Sequence, residues 1–280
     1  MNTRTDLAIE SINNIKSSSD IIKEERFVDD IKITKITIND EKSAEKLGKQ
    51  KGSYITIELG EYMRNGESFS AGEILRRELS SLLPDFKSML IIGIGNIMIT
   101  PDSIGPETAK KILATRHIEK HLADQIGLHG IKSVSVLSPG VLGQTGIEVQ
   151  EIVKGAKNSV NADAVLLIDA LVAKDLSRLG SCVQISNTGI VPGSGVGNHR
   201  SPLTEKELGV PVFSIGVPTV VDAPTLVYEL TGNDKIRKNN MIITPREIDM
   251  VIERSSELLS YGINCAVQPK IDPETIMSLV

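Results

Sequence analysis

Tryptophan is missing from this 280-residue chain, and four Phe with four Tyr leave aromatics at 3%. That scarcity excludes base or sugar stacking as a main mode of recognition and leaves the core to Ile, Leu and Val. Cysteine is almost as rare. Cys182 and Cys265 lie far apart, each in an apolar stretch, so neither a disulfide framework nor a cysteine metal cluster is available, and two buried thiols are expected. The amino terminus has no apolar core of the kind an export signal needs, and no segment approaches about 18 uninterrupted apolar residues. Neither export nor a membrane partner is expected, and the chain reads as cytoplasmic. Thirty-one basic against 36 acidic residues give a net charge of −5 with no dense Lys/Arg stripe, so direct nucleic-acid binding has no electrostatic support.

What is present is a long series of aliphatic runs. Residues 1–30 are polar, interrupted by Ser17-Ser18-Ser19-Asp20, and read as a loosely held leader, with order expected from Ile31. Ile31–Ile38 and Tyr54–Leu59 alternate with period two and predict strands that pair; the phase change between Ile33 and Ile36 predicts a bulge. Leu75, Leu79, Leu82 and Leu83 share a helical face that Pro84 closes. Strand and helix patterns then alternate: strands over Ser88–Ile94, Ser133–Leu137, Ala164–Ile168, Cys182–Ser186 and Val212–Gly216, and helices after Pro106 and Gly146. A last helix is predicted after Thr244-Pro245-Arg246-Glu247, a capping-box pattern, ending before Gly262. The fold class expected is α/β: three layers, α/β/α, around a mostly parallel doubly wound sheet, with an amino-terminal antiparallel elaboration over about residues 28–66.

Two acids stand at the ends of buried strand patterns. The run Ser88–Ile94 leads through Gly95-Asn96 to Thr100-Pro101-Asp102, and Ala164-Val165-Leu166-Leu167-Ile168 ends on Asp169. In a parallel sheet both carboxylates project at the edge where such sheets bind ligands. One acid kept protonated beside one kept ionised can polarise a carbonyl and activate water. Asp102 also suits a turn or a helix cap ahead of Glu107.

Other motifs are weaker. Gly93-Ile94-Gly95 begins like a dinucleotide fingerprint, but Met98 stands where the third Gly belongs, so tight turning and close helix–sheet contact explain the glycines more simply. A nucleotide- or phosphate-binding module remains as an alternative. His117 and His121 are four apart, with Ile118 where a zincin has Glu, and read as a solvated helix face. Gly193, Ser194 and Gly195, in Pro192–Asn198, form a loop able to contact substrate, as do Asn96 and Gly140 in the turns after two strands.

The chain also resembles the germination proteases of endospore-forming bacteria. The resemblance covers nearly all of it and rests on Arg4–Glu10, Gly93–Asn96 with Thr100–Asp102, Pro139–Val141, Ile168–Leu171, Gln184–Ser186 with Pro192–Asn198, and Gly216–Ala223. It implies an atypical aspartic endopeptidase, its two essential acids at Asp102 and Asp169, that degrades small acid-soluble spore proteins in the forespore and spore core. It further implies a homotetrameric zymogen whose propeptide, residues 1–6, is removed by cleavage between Asp6 and Leu7, leaving one peptidase domain over 7–280. No cofactor is required on this reading. The fold implied is similar to that of hydrogenase-maturation proteases, which leaves a metal at the acid pair as an open alternative.

Overall fold

Strands whose two sides are both apolar have to be covered on both sides, and the central runs of this chain are of that kind. In Ser88–Ile94, Met89 and Ile91 join one apolar cluster while Leu90, Ile92 and Ile94 join another on the opposite face. The computed structural model describes residues 5–12, 20–60, 68–125, 128–191, 200–232 and 241–280. Its strands are β1 (Ile21–Val28), β2 (Ile31–Ile38), β3 (Gly52–Glu58), β4 (Ser88–Ile94), β5 (Ser133–Gly140), β6 (Ala164–Ala173), β7 (Cys182–Ser186), β8 (Val212–Asp222) and β9 (Ile242–Ile243).

All of them join one sheet, in the order β1-β2-β3-β7-β8-β6-β4-β5, with β9 on β8. The run β8-β6-β4-β5 is parallel, and β1, β2, β3 and β7 continue it in antiparallel pairing. The architecture is the expected α/β one, and its antiparallel part begins at Ile21 and takes in β7. One face carries the largest cluster, from Ile33 and Ile57 across to Ile91, under the helices Ser68–Leu82 and Ile248–Val267. The other face carries two separate clusters. One joins Leu90, Ile92, Val165 and Leu167 to the helix Val149–Val160 through Val149 and Val153. The second joins Ile36, Ile38, Leu171 and Ala173 to the amino-terminal segment. Polar residues of the sheet lie between these two.

Several details correct the sequence reading. The leader is not loose over its described part: Leu7, Ala8, Ile9 and Ile12 are buried in the second of those clusters. Four apolar residues within six are enough to dock a short segment once the sheet supplies a hydrophobic wall. Residues 13–19 lie outside the described residues. Strand order starts at Ile21, because β1 pairs with β2 along its whole length. No bulge interrupts β2, whose register is unbroken on both sides. Its phase change arises because Ile31 and Ile33 face one layer and Ile36 and Ile38 the other.

The helix expected to be the last, which a further helix, Pro273–Ser278, follows, begins at Ile248 without a side-chain cap, since Thr244 donates instead to Thr219 O at 2.8 Å. It also passes through Gly262, where a side chain would strike Leu75, so this glycine permits close helix packing rather than marking a stop. The helix near the histidines starts only at Lys120, so His117 and His121 do not share it.

Close approach also explains the glycines after β4. A Cβ on Gly105, at the start of the helix Ile104–Ala109, would lie 2.1 Å from Ile94 O and 2.6 Å from Ile168 O. Gly105→Ala is therefore expected to destabilise by about 1–3 kcal/mol or more. Gly155→Ala, in a helix interior with open space around the added methyl, should instead stabilise by about 0.5–1 kcal/mol. Urea unfolding midpoints of the two variants measure both effects.

Candidate active site

The strip between the two apolar clusters forms the floor of a cavity of about 810 Å³. Asp6, Asp102, Asp169, Gln184 and Arg200 all contribute to its lining. Alternation along the strands produces this polar strip. In β7, Val183 and Ile185 point into the main core, which turns Gln184 and Ser186 to the opposite face. Ser186 Oγ lies 2.8 Å from Ser214 Oγ of β8, and Thr188 Oγ1 donates to Tyr54 OH at 3.3 Å.

Asp169 does not end its strand. β6 runs on to Ala173 because β8 continues to pair with it, whereas its pairing with β4 stops at Ile168. Asp169 thus stands at the first position where one neighbouring strand has fallen away. Its Oδ1 accepts from Ala170 N at 2.9 Å. Enclosure by protein pushes its carboxyl well above the usual carboxylate range, and the nearby charges of Asp102 and Asp6 push the same way, with Arg200 opposing.

Asp102 ends the single turn Thr100–Asp102 beyond β4, with no role as a cap for the following helix. Its Oδ2 accepts from Asn96 N at 2.8 Å. Desolvation raises its carboxyl too, while that backbone bond and Arg200 hold it down. Thr219 Oγ1 donates to Pro101 O at 2.6 Å and so ties the turn to β8. The environments therefore differ in degree: each carboxyl is desolvated and accepts one backbone N–H, but Asp169 is pushed further up, with Asp102 and Asp6 as negative neighbours.

Asp6 enters the same cavity on the amino-terminal segment. Its N donates to Val172 O and its Oδ2 accepts from Val172 N, each at 2.9 Å. Leu7 is fully buried. Glu10 anchors the far side of the segment: its carboxylate accepts from Lys174 N at 2.7 Å and Asp175 N at 3.0 Å, is bonded by the Thr5 hydroxyl, and lies 3.6 Å from Arg178. Lys49 donates to Thr5 O at 2.9 Å. Burial pushes this amine down from its ordinary value, and the charges of Asp6 and Glu10 push it back up.

The other sequence candidates fall differently. Asn96 acts on Asp102 through its backbone, while its side chain accepts from Gln144 Nε2 at 2.6 Å. Gly140 turns at φ 72 at the end of β5, next to Val141, which lines the cavity. Gly193, Ser194 and Gly195 lie outside the described residues. Gln184 is among the residues that carry the family resemblance but is not one of the expected site residues, although a lone amide in the apolar run Cys182–Ile185 is the signal that finds it. Cys182 and Cys265 are both buried and unbridged, and burial pushes the Cys265 thiol up to about 11. Among the described residues no three His, Cys, Asp or Glu side chains converge as a metal site requires, and no helix is long and apolar enough to cross a membrane.

Comparison with known proteins gives consistent results. The family model of the germination protease matches residues 2–232. A germination protease of Clostridium perfringens is 38% identical over 319 aligned residues, covering 98% of each chain. That of Caldanaerobacter subterraneus is 38% identical, covering 99% of this chain and 98% of its own, and that of Priestia megaterium is 31% identical, covering 97% and 95%. Among solved structures, a NiFe hydrogenase maturation protease from Thermococcus kodakarensis aligns with a TM-score of 0.41 and 18% identity, over 68% of this chain and 98% of that one. With four-fifths of its length matched by the family model and relatives aligned nearly end to end, this chain belongs to the germination protease family and is a peptidase.

Proposed function

We propose that the chain is an endopeptidase that begins the degradation of small acid-soluble spore proteins, working in the spore core. We propose further that it is made as a zymogen that cuts itself between Asp6 and Leu7. The observation that carries this reading is that Asp102, Asp169 and Asp6 line one cavity. Two carboxyls with different surroundings and a peptide segment beside them are what an acid–base hydrolysis of a peptide bond needs.

In the proposed reaction Asp169 holds the proton and Asp102 is ionised, as their surroundings favour. Asp102 takes a proton from water as the water oxygen bonds to the carbonyl carbon, and Asp169 gives its proton to the carbonyl oxygen. The resulting diol collapses when the C–N bond breaks: one hydroxyl proton returns to Asp169, and the proton on Asp102 passes to the leaving nitrogen. Both acids end as they began, and one water has been consumed. Disordered substrates suit such a cleft, since an extended segment enters it without prior unfolding.

Replacing either acid by Asn should slow self-processing and cleavage of a spore-protein substrate by about 10²–10⁴-fold while leaving the melting temperature near that of the parent. Wild-type rates in both variants, measured by mass spectrometry of the amino terminus, would remove the assignment. The pH dependence follows from the raised carboxyls. Asp169 must be neutral, so the rate should climb as pH falls through its raised pKa; Asp102 must be ionised, so the rate should fall again in stronger acid. A self-processing rate that only rises with pH from acid to neutral would contradict this order. The proposed homotetramer is tested by sedimentation, which should give four times the 30.3 kDa chain mass.

A further inference from the structure

Across the cavity floor three residues stand in one row on three adjoining strands. Gln184 of β7 pairs with Gly216 of β8, and Gly216 pairs with Asp169 of β6. Residues paired in this way present their side chains to the same face of a sheet. Two strand spacings of about 4.8 Å put the outer two backbones roughly 10 Å apart. The middle residue contributes no side chain, and a Cβ on Gly216 would lie 2.4 Å from Asp169 O and 2.8 Å from Leu171 Cγ. The row is therefore a trough with an amide on one wall and a carboxyl on the other.

The amide is already engaged. Gln184 Nε2 donates to Asp6 O at 3.0 Å, and Gln184 Oε1 accepts from Ala8 N at 2.7 Å. These two backbone groups flank Leu7, and Asp6 O is the carbonyl oxygen of the Asp6–Leu7 bond. We infer that Gln184 is the residue that grips the scissile segment of this peptidase, donating to the carbonyl oxygen of the bond to be cut and accepting from the amide of the second residue beyond it. The inference rests on the reading of Asp6–Leu7 as the self-processing bond and of Asp169 as the acid.

Physically the role has two parts. Both bonds go to main chain, so they fix where an extended peptide lies along the trough whatever its side chains. The donor is also aimed at the oxygen on which negative charge grows during attack, and Gln184 is buried, so the bond strengthens where water does not compete. A carbonyl oxygen has two lone pairs; Gln184 takes one and leaves the other for the proton of Asp169. Gln184 is thus a positioning residue in the resting segment and an oxyanion donor during the reaction.

The test uses the full chain, with self-processing followed by mass spectrometry across a range of pH. Gln184→Met keeps length and removes both bonds; it should slow cleavage by about 10²–10³-fold. Gln184→Glu keeps the acceptor, but its ionised form cannot donate. Its rate relative to the parent should be low near neutrality and rise as pH falls and the new carboxyl takes up the proton it donates. A purely structural role predicts no such pH-dependent recovery. A parental rate in Gln184→Met, a flat ratio for Gln184→Glu, or cleavage mapped to another bond would each overturn the inference. Asp102→Asn and Asp169→Asn run in parallel separate the two levels: parental rates there overturn the reading beneath, whereas loss there with a parental Gln184→Met rate overturns only the role of Gln184.

Discussion

Partial withdrawal of Asp169 from water is the interaction on which the cavity depends. β6 is apolar along nearly its whole length, and an ionised carboxyl on such a strand loses hydration that its one backbone hydrogen bond does not fully replace. The negative neighbours Asp6 and Asp102 add to that cost, and the protonated form relieves both. A neutral carboxylic acid is a donor, which an ionised one is not. The chemistry proposed for the cavity therefore begins with desolvation rather than with any unusual residue type.

The same face of the sheet solves a packing problem. Its two apolar patches are covered by different parts of the chain, the helix Val149–Val160 on one side and the segment Leu7–Ile12 on the other. Between them runs the strip holding Gln184, Ser186, Ser214 and Gly216, where the amino-terminal segment meets Gln184. A segment docked for its apolar side chains thus brings its Asp6 into the cavity, where main-chain bonds to Val172 and the amide of Gln184 hold it. Burial of Leu7 and satisfaction of the Glu10 carboxylate act together, since an unpartnered acid there would undo the docking.

Much of the framework was legible because it rests on local periodicity. β2 and β7 begin and end where their alternation begins and ends, and the aliphatic runs of β4 and β6 announced a sheet covered on both sides. Asp102 and Asp169 were visible as acids next to such runs. The docking of the amino-terminal segment is not legible because its four apolar residues carry no period long enough to register, and their partners are scattered from Ile21 and Ile36 to Leu171 and Cys182, the last more than 150 positions away. The end of the helix Ile248–Val267 is hidden for a related reason: a glycine that stops a helix and one that admits a neighbouring side chain look alike until Leu75 is in place.

The chain's own order of residues determined which segments become strands, that the central ones must be covered on both faces, and that two acids follow buried runs. These follow from side-chain alternation and burial, which act over a few residues. Only the tertiary structure decided that Gln184, Gly216 and Asp169 share a row, that Asp6 enters the same cavity, and that a polar strip is left between two apolar patches. Strand order is responsible: β7, β8 and β6 are neighbours in the sheet though not in sequence order, and no local pattern encodes which strands will lie side by side.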